Sequence, residues 1–178
     1  MPSTKFVIRP EDFLVNHLFE DSKFFLEEAK NHDGKDQQKA RTYIRASVIT
    51  SFAALEALVN ALLTLIDTVE DLDLHERAFV QEKRVEFGDK GYFEIKGHRS
   101  SPLKDKISFL YWRREGKPIP KSNVVWSSFI NATKLRNKLV HPKPREIPYA
   151  ELTVSAARSC LAAVSKVAHM FAWPGLDL

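Results

Sequence analysis

The sequence predicts an all-α protein: a helical bundle of four long helices, with shorter elements, a small β-hairpin among them, inserted between the second and third. Three observations carry this. Apolar residues recur at helical spacing over four long segments. One segment, from Val48 to Ile66, is apolar on nearly every side, as a central helix is. Turn-forming Gly and Pro clusters punctuate the chain between the segments.

The elements follow in order. Pro10-Glu11-Asp12 opens a first helix running from about Phe13 to Asn31, with Leu14, Leu18, Phe25 and Ala29 along it. His32-Asp33-Gly34-Lys35 ends it. Asp36 can cap a second helix that extends to about Asp67. Within its apolar half, Glu56, Asn60 and Thr64 form a polar ridge at i, i+4 and i+8. Asp71 to Arg84 reads as a short helix, and Phe87-Gly88-Asp89-Lys90-Gly91-Tyr92-Phe93 as a turn between short extended pieces. Leu103 to Trp112 is a further short helix, and Gly116-Lys117-Pro118-Ile119-Pro120 forces irregular chain. Ser122 or Asn123 can cap a third long helix from Val124 to about Val140. Pro142, Pro144 and Pro148 stiffen the connection to a last helix from Tyr149 to Phe171, where small residues permit close helix approach.

The 178 residues suit one domain, residues 1–178, carrying residues 68–122 as an insert. Lys+Arg number 27 against 23 Asp+Glu, a net charge of +4 that fits a polyanionic partner without requiring one. A lone Cys160 rules out an intrachain disulfide and sits in a run of small residues suited to packing. The N-terminus lacks an apolar core of signal-peptide length, and the stretch from Phe52 to Ile66 is short and broken by Glu56 and Asn60. The expected location is the cytoplasm, with no membrane partner. The six histidines are scattered, with no pair at zinc-ligand spacing, and the six glycines form no phosphate loop. No metal and no cofactor is expected.

One stretch carries chemistry: Lys134-Leu135-Arg136-Asn137-Lys138-Leu139-Val140-His141-Pro142. Arginine grips phosphate bidentately at any physiological pH, and histidine exchanges protons near neutrality. Together they point to phosphodiester chemistry, with RNA the best-suited substrate. At about 100° per residue, Arg136 falls within the apolar stripe marked by Val125, Phe129 and Ala132, while Lys134 and Lys138 face the opposite way. An inward arginine either pairs with a carboxylate, for which Glu56 is the obvious candidate, or lines a cleft. On a regular helix His141 would point about 140° away from Arg136. Pro142 disfavours helical geometry at His141, so the ring can be redirected.

At these residues the chain resembles the HEPN superfamily of helical-bundle proteins, whose motif is an arginine, four to six residues, then a histidine. Arg136-Asn137-Lys138-Leu139-Val140-His141 matches its shortest form, polar neighbour included, and Ser51 to Asn60 is similar to the acidic helix preceding the motif helix. The likeness covers about residues 36–67 and 122–172 and leaves the insert unmatched. It implies a metal-independent endoribonuclease, a toxin or phage-defence protein. His141 would act as general acid or base, Arg136 would stabilise the transition state, Asn137 would orient the phosphate or the imidazole, and Glu56 would hold Arg136 or transfer a second proton. It also implies a homodimer with a composite active site and makes an antitoxin protein a candidate partner. One subgroup carries a modified tyrosine two residues after the histidine; here that position is Lys143.

Charge adds to this. Lys134, Lys138, Lys143 and Arg145 flank the motif without an intervening carboxylate and are candidate RNA contacts. A second basic stretch, Lys104 to Lys121, includes Tyr111 and Trp112, aromatics of the kind that stack on unpaired bases. The alternative reading is a non-catalytic HEPN-like module that binds RNA, a nucleotide or a protein partner. A third is a plain helical dimer in which Arg136 and Glu56 pair structurally.

Overall fold

The computed structural model describes residues 14–69, 71–120, 122–141 and 150–171. The described chain is mostly helical: α1 (Leu14–His32), α2 (Gln37–Val69), α3 (Leu74–Val80), α4 (Leu103–Glu115), α5 (Val124–Val140) and α6 (Val154–His169). Between α3 and α4, β1 (Lys83–Phe87) and β2 (Phe93–His98) form a two-stranded antiparallel sheet. The expected hairpin is therefore present in the insert. The chain divides into two compact units, one from residues 1–55 and 121–178, the other from residues 56–120. Helix α2 contributes its first part to one and its last part to the other.

In the first unit, helix starts follow the caps that the sequence offers. Asp36 accepts from the Lys39 N–H ahead of α2, Asn123 from the Trp126 N–H of α5, and Thr153 from the Ala156 N–H of α6. The last helix thus begins at Val154 rather than at Tyr149, because Thr153 supplies the cap; Tyr149 and the proline-rich connection lie outside the described residues. Helices α1 and α2 are joined by a reciprocal pair of bonds. Ser22 Oγ donates to the Ser47 carbonyl at 2.9 Å, and Ser47 Oγ donates to the Ser22 carbonyl at 2.9 Å. Both serines are fully buried, so each hydroxyl is satisfied where water cannot reach. Stacking of Phe25 on Tyr43 extends this contact, and Phe52 of α2 meets Phe129 of α5 at 5.9 Å between ring centroids. Helix α6 packs against both α1 and α5 through Ala157, Cys160, Ala163, Val164, Val167 and Ala168, all buried.

In the second unit the short helix ends sooner than the expected Arg84. Asp73 caps α3 by accepting from the N–H groups of His75 and Glu76, and Glu76 reciprocates to the Asp73 N–H. After α3, Glu82 takes a left-handed conformation at φ 51° and the chain becomes β1. Three contacts hold Glu82 there. Its carbonyl accepts from the Arg99 N–H at 2.7 Å, and its carboxylate accepts from the Ser101 N–H at 3.1 Å and from Lys106 Nζ at 3.0 Å. Lys106 is 4% exposed, and Nζ also donates to Asn60 Oδ1 at 2.9 Å. A buried ammonium needs such partners. The basic stretch in α4 is thus largely structural: Lys106 binds Glu82, Arg113 binds Glu76, and Arg114 binds Glu115. Tyr111 is buried as well, which removes it from the stacking role expected of it.

Helix α2 is long and apolar enough, by length and composition, to cross a membrane, whereas its apolar stretch reads in the sequence as too short. The difference arises because Glu56 and Asn60 interrupt the composition without interrupting the helix. Core helices pass the same test, and Ile44, Val48, Phe52 and Leu55 of α2 are spent on the core of the first unit.

Replacing Ser22→Ala removes one of the two reciprocal bonds and should cost about 1 kcal/mol in urea unfolding, whereas Ser22→Leu should cost more by forcing α1 and α2 apart. A larger loss for alanine than for leucine would contradict the close approach. Glu82 makes the second unit acid-sensitive. The Ser101 N–H, then Lys106, hold its carboxyl below the usual carboxylate range. Its stabilising contribution is therefore complete above that range and is lost as pH falls through the lowered folded value. Urea midpoints measured from pH 6 down to about 3 should fall less steeply for Glu82→Gln than for the wild type; equal slopes would reject this role.

Candidate functional site

The site is built at the C-terminal end of α5, where a hydrogen-bonded helix gives way to an irregular end. Asn123 starts α5, and Phe129 and Ala132 anchor it as its buried residues. Burial then thins along the helix: Leu135, Arg136 and Leu139 are half-buried, and Val140 is 37% exposed. The apolar stripe predicted for this helix is real in its first half and partly uncovered in its second. Arg136 accordingly sits at a half-buried margin and not within a closed packing face.

Asn137 connects the two motif residues. Its side-chain Oδ1 accepts from an Arg136 guanidinium N–H at 3.2 Å, and its backbone carbonyl accepts from the His141 N–H at 2.9 Å. His141 is the residue after the last helical turn, with φ −126° and ψ 63°. This departure from helical geometry is what the following proline demands. His141 is exposed, and Arg136 is half-buried. Among the described residues of its unit, no carboxylate pairs with Arg136, so the guanidinium keeps donors for an external anion.

The other expected residues fall elsewhere. Glu56 belongs to the second unit, where it is exposed and has no ion-pair partner among the described residues. The polar ridge to which it belongs has a use that the sequence did not reveal: Asn60 receives the buried Lys106. Lys134 donates to Asn131 Oδ1 at 3.2 Å. Lys138 is bound to Glu151 at 2.6 Å, a surface pair worth at most about 1 kcal/mol that a phosphate can displace. Lys143 and Arg145 lie outside the described residues. No three of His, Cys, Asp and Glu converge as metal ligands among the described residues.

A cleft of about 480 Å³ runs between α5 and α6, lined by Ser128, Asn131 and Leu135 on one side and by Ala156, Ser159 and Lys166 on the other. Sequence reasoning places small residues on the last helix but cannot see that they leave this gap. Cys160 also lines the cleft, yet it is 3% exposed, and burial pushes its thiol up to about 11. A thiol so raised stays protonated at neutral pH and is a poor nucleophile. An aromatic disulfide reagent at pH 8 should therefore leave the native protein unlabelled and label one thiol in guanidinium; rapid labelling of the native protein would show that the cleft opens to Cys160.

No protein-family model, curated protein or solved structure matches the chain.

Proposed function

We propose that this chain is a metal-independent endoribonuclease of the HEPN type, built on a four-helix bundle formed by α1, α2, α5 and α6. The observation that carries the reading is the open end of α5, where the half-buried Arg136 guanidinium donates to Asn137 Oδ1 and His141, one residue past the last turn, is exposed. The resemblance on Arg136, Asn137 and His141 supplies the chemistry. His141 takes the proton from a ribose 2′-OH as the 2′ oxygen attacks phosphorus. The bond from phosphorus to the 5′ oxygen breaks, that oxygen leaves as a 5′-OH after receiving a proton from a protonated His141, and a 2′,3′-cyclic phosphate is produced. Arg136 stabilises the negative charge that accumulates on the phosphoryl oxygens. Asn137 is a positioning residue, since its side chain acts on substrate through Arg136. DNA lacks the 2′-OH and is not cleaved.

A second copy of the chain completes the site in this reading, bringing a second Arg136 and His141 to the same cleft. The half-buried Leu135 and Leu139 and the 37% exposed Val140 give such a partner apolar surface to cover. Lys134 and Lys138, together on the other face of α5, would add phosphate contacts away from Arg136, and the cell compartment expected for a toxin or defence nuclease of this kind is the cytoplasm.

The test is cleavage of mixed single-stranded and structured RNA in EDTA. Wild-type protein should release 2′,3′-cyclic phosphate ends. Arg136→Ala and His141→Ala should each lower the rate by about 10²- to 10⁴-fold without loss of fold, and Asn137→Ala by a smaller factor. RNA binding without cleavage by the wild type would replace this reading with that of a non-catalytic module.

A further inference from the structure

The hairpin between α3 and α4 has two unlike faces. In its register Phe87 pairs with Phe93, Val85 with Ile95 and Lys83 with His98, while Arg84 pairs with Lys96 and Glu86 with Glu94. Alternation along the strands therefore puts Lys83, Val85, Phe87, Phe93 and Ile95 on one face. The irregularity between Lys83 and Arg84, with Gly97 at φ 60°, brings His98 opposite Lys83. Both strand carboxylates, Glu86 and Glu94, fall on the other face, where Glu94 is bound to Lys96. The first face carries Lys83 and the aromatics with no acidic residue.

Its aromatics are uncovered. Phe87 is 66% and Phe93 59% exposed, their rings edge-to-face at 5.3 Å, and Tyr92 beside them is 52% exposed. Beyond the other end of β1 lies a cleft of about 350 Å³ that Lys83 and Val85 line from this same face. Its cations are Lys83 and Arg99, against one carboxylate, Asp105, with His75, Phe79 and Ser101 also in the wall. Neither Lys83 nor Arg99 has an ion pair among the described residues of the unit, and both are exposed. From Lys83 to Phe87 the strand advances about 13 Å, so cleft and aromatic pair form one continuous strip.

We infer that this strip is a binding surface for single-stranded RNA, with phosphates in the His75–Lys83–Arg99 cleft and unpaired bases on Phe87 and Phe93. A basic groove leading to an exposed aromatic platform is the combination by which proteins hold single strands without reading sequence. Apolar contact alone would leave the cationic cleft unexplained, and a phosphate site alone would leave the aromatics bare. The inference rests on the nuclease reading for its choice of RNA, because stacking and phosphate binding serve single-stranded DNA equally well. It places substrate capture on a different unit from the Arg136–Asn137–His141 chemistry.

The test is fluorescence anisotropy of the full chain with a labelled oligouridylate and its deoxy counterpart in EDTA, over a range of salt. Phe87→Ala/Phe93→Ala should weaken binding about tenfold or more with fold retained by circular dichroism. Lys83→Glu/Arg99→Glu should weaken it further and make the logarithmic salt dependence shallower by about 0.7 for each phosphate that is no longer neutralised. Unchanged affinity in both hairpin variants overturns the inference, as does a wild type that binds neither oligomer. A drop in molar mass by light scattering on Phe87→Ala/Phe93→Ala, with RNA affinity intact, also overturns it and identifies the platform as an interface between copies. If hairpin variants lose binding while the wild type never cleaves, the surface stands and the nuclease reading falls. If the wild type cleaves and hairpin variants cleave dilute RNA at its rate, the nuclease reading stands and the surface falls.

Discussion

Helix α2 has 33 residues, and its stretch from Val48 to Ile66, apolar on almost every side, cannot be left in water; the rest of the described chain is organised by what covers it. Its first part buries Ile44, Val48, Phe52 and Leu55 in one compact unit, against α1 through Ser22 and Tyr43 and against α5 through Phe129. Its last part belongs to the other unit, where Leu58, Val59 and Leu63 are buried and Asn60 accepts from Lys106. One element thus seeds two cores. The reciprocal serine bonds show how closely a partner can approach when side chains are small and each hydroxyl finds a carbonyl.

The same need for cover explains where reactive groups are free and where they are tied. Lys106 lies in an interior and is satisfied there by Glu82 and Asn60, and Cys160 lies in an interior and keeps its proton. Arg136 and His141 stand where the cover of α5 gives out, so their polar groups face an accessible margin. Asn137 Oδ1 accepts from the Arg136 guanidinium without neutralising it, because it offers an oxygen but no charge. The hairpin repeats this division: Glu94 is paired with Lys96 on one face, and Lys83 and the aromatics are left open on the other. Availability, more than residue type, separates the sites that can bind an anion from the basic residues that only hold the fold.

Much of the fold was legible in the residues. The periodicity of the long helices, the caps at Asp36 and Asn123, the breaks around Gly34 and Gly116, and the hairpin turn near Gly88 and Gly91 all act within a few residues, and each corresponds to a described boundary. The motif at the end of α5 was legible for the same reason, since Pro142 dictates the geometry of His141. The second basic stretch divides: Lys106 and Arg113 each reach a carboxylate supplied by a segment more than 20 residues away, while Trp112 stays 44% exposed.

By itself, then, the sequence determined the helices, the starts of α2 and α5, the hairpin and the arginine–histidine motif, because propensity, capping and turn chemistry are local and leave periodic traces. Only the tertiary structure decided which polar residues would be consumed. The pairing of Lys106 with Glu82 and Asn60, the uncovered margin around Arg136, and the separation of acidic from basic side chains on the hairpin depend on contacts across the chain and on strand register. A one-residue change of register would have exchanged the two faces of that hairpin, and no local signal forbids it.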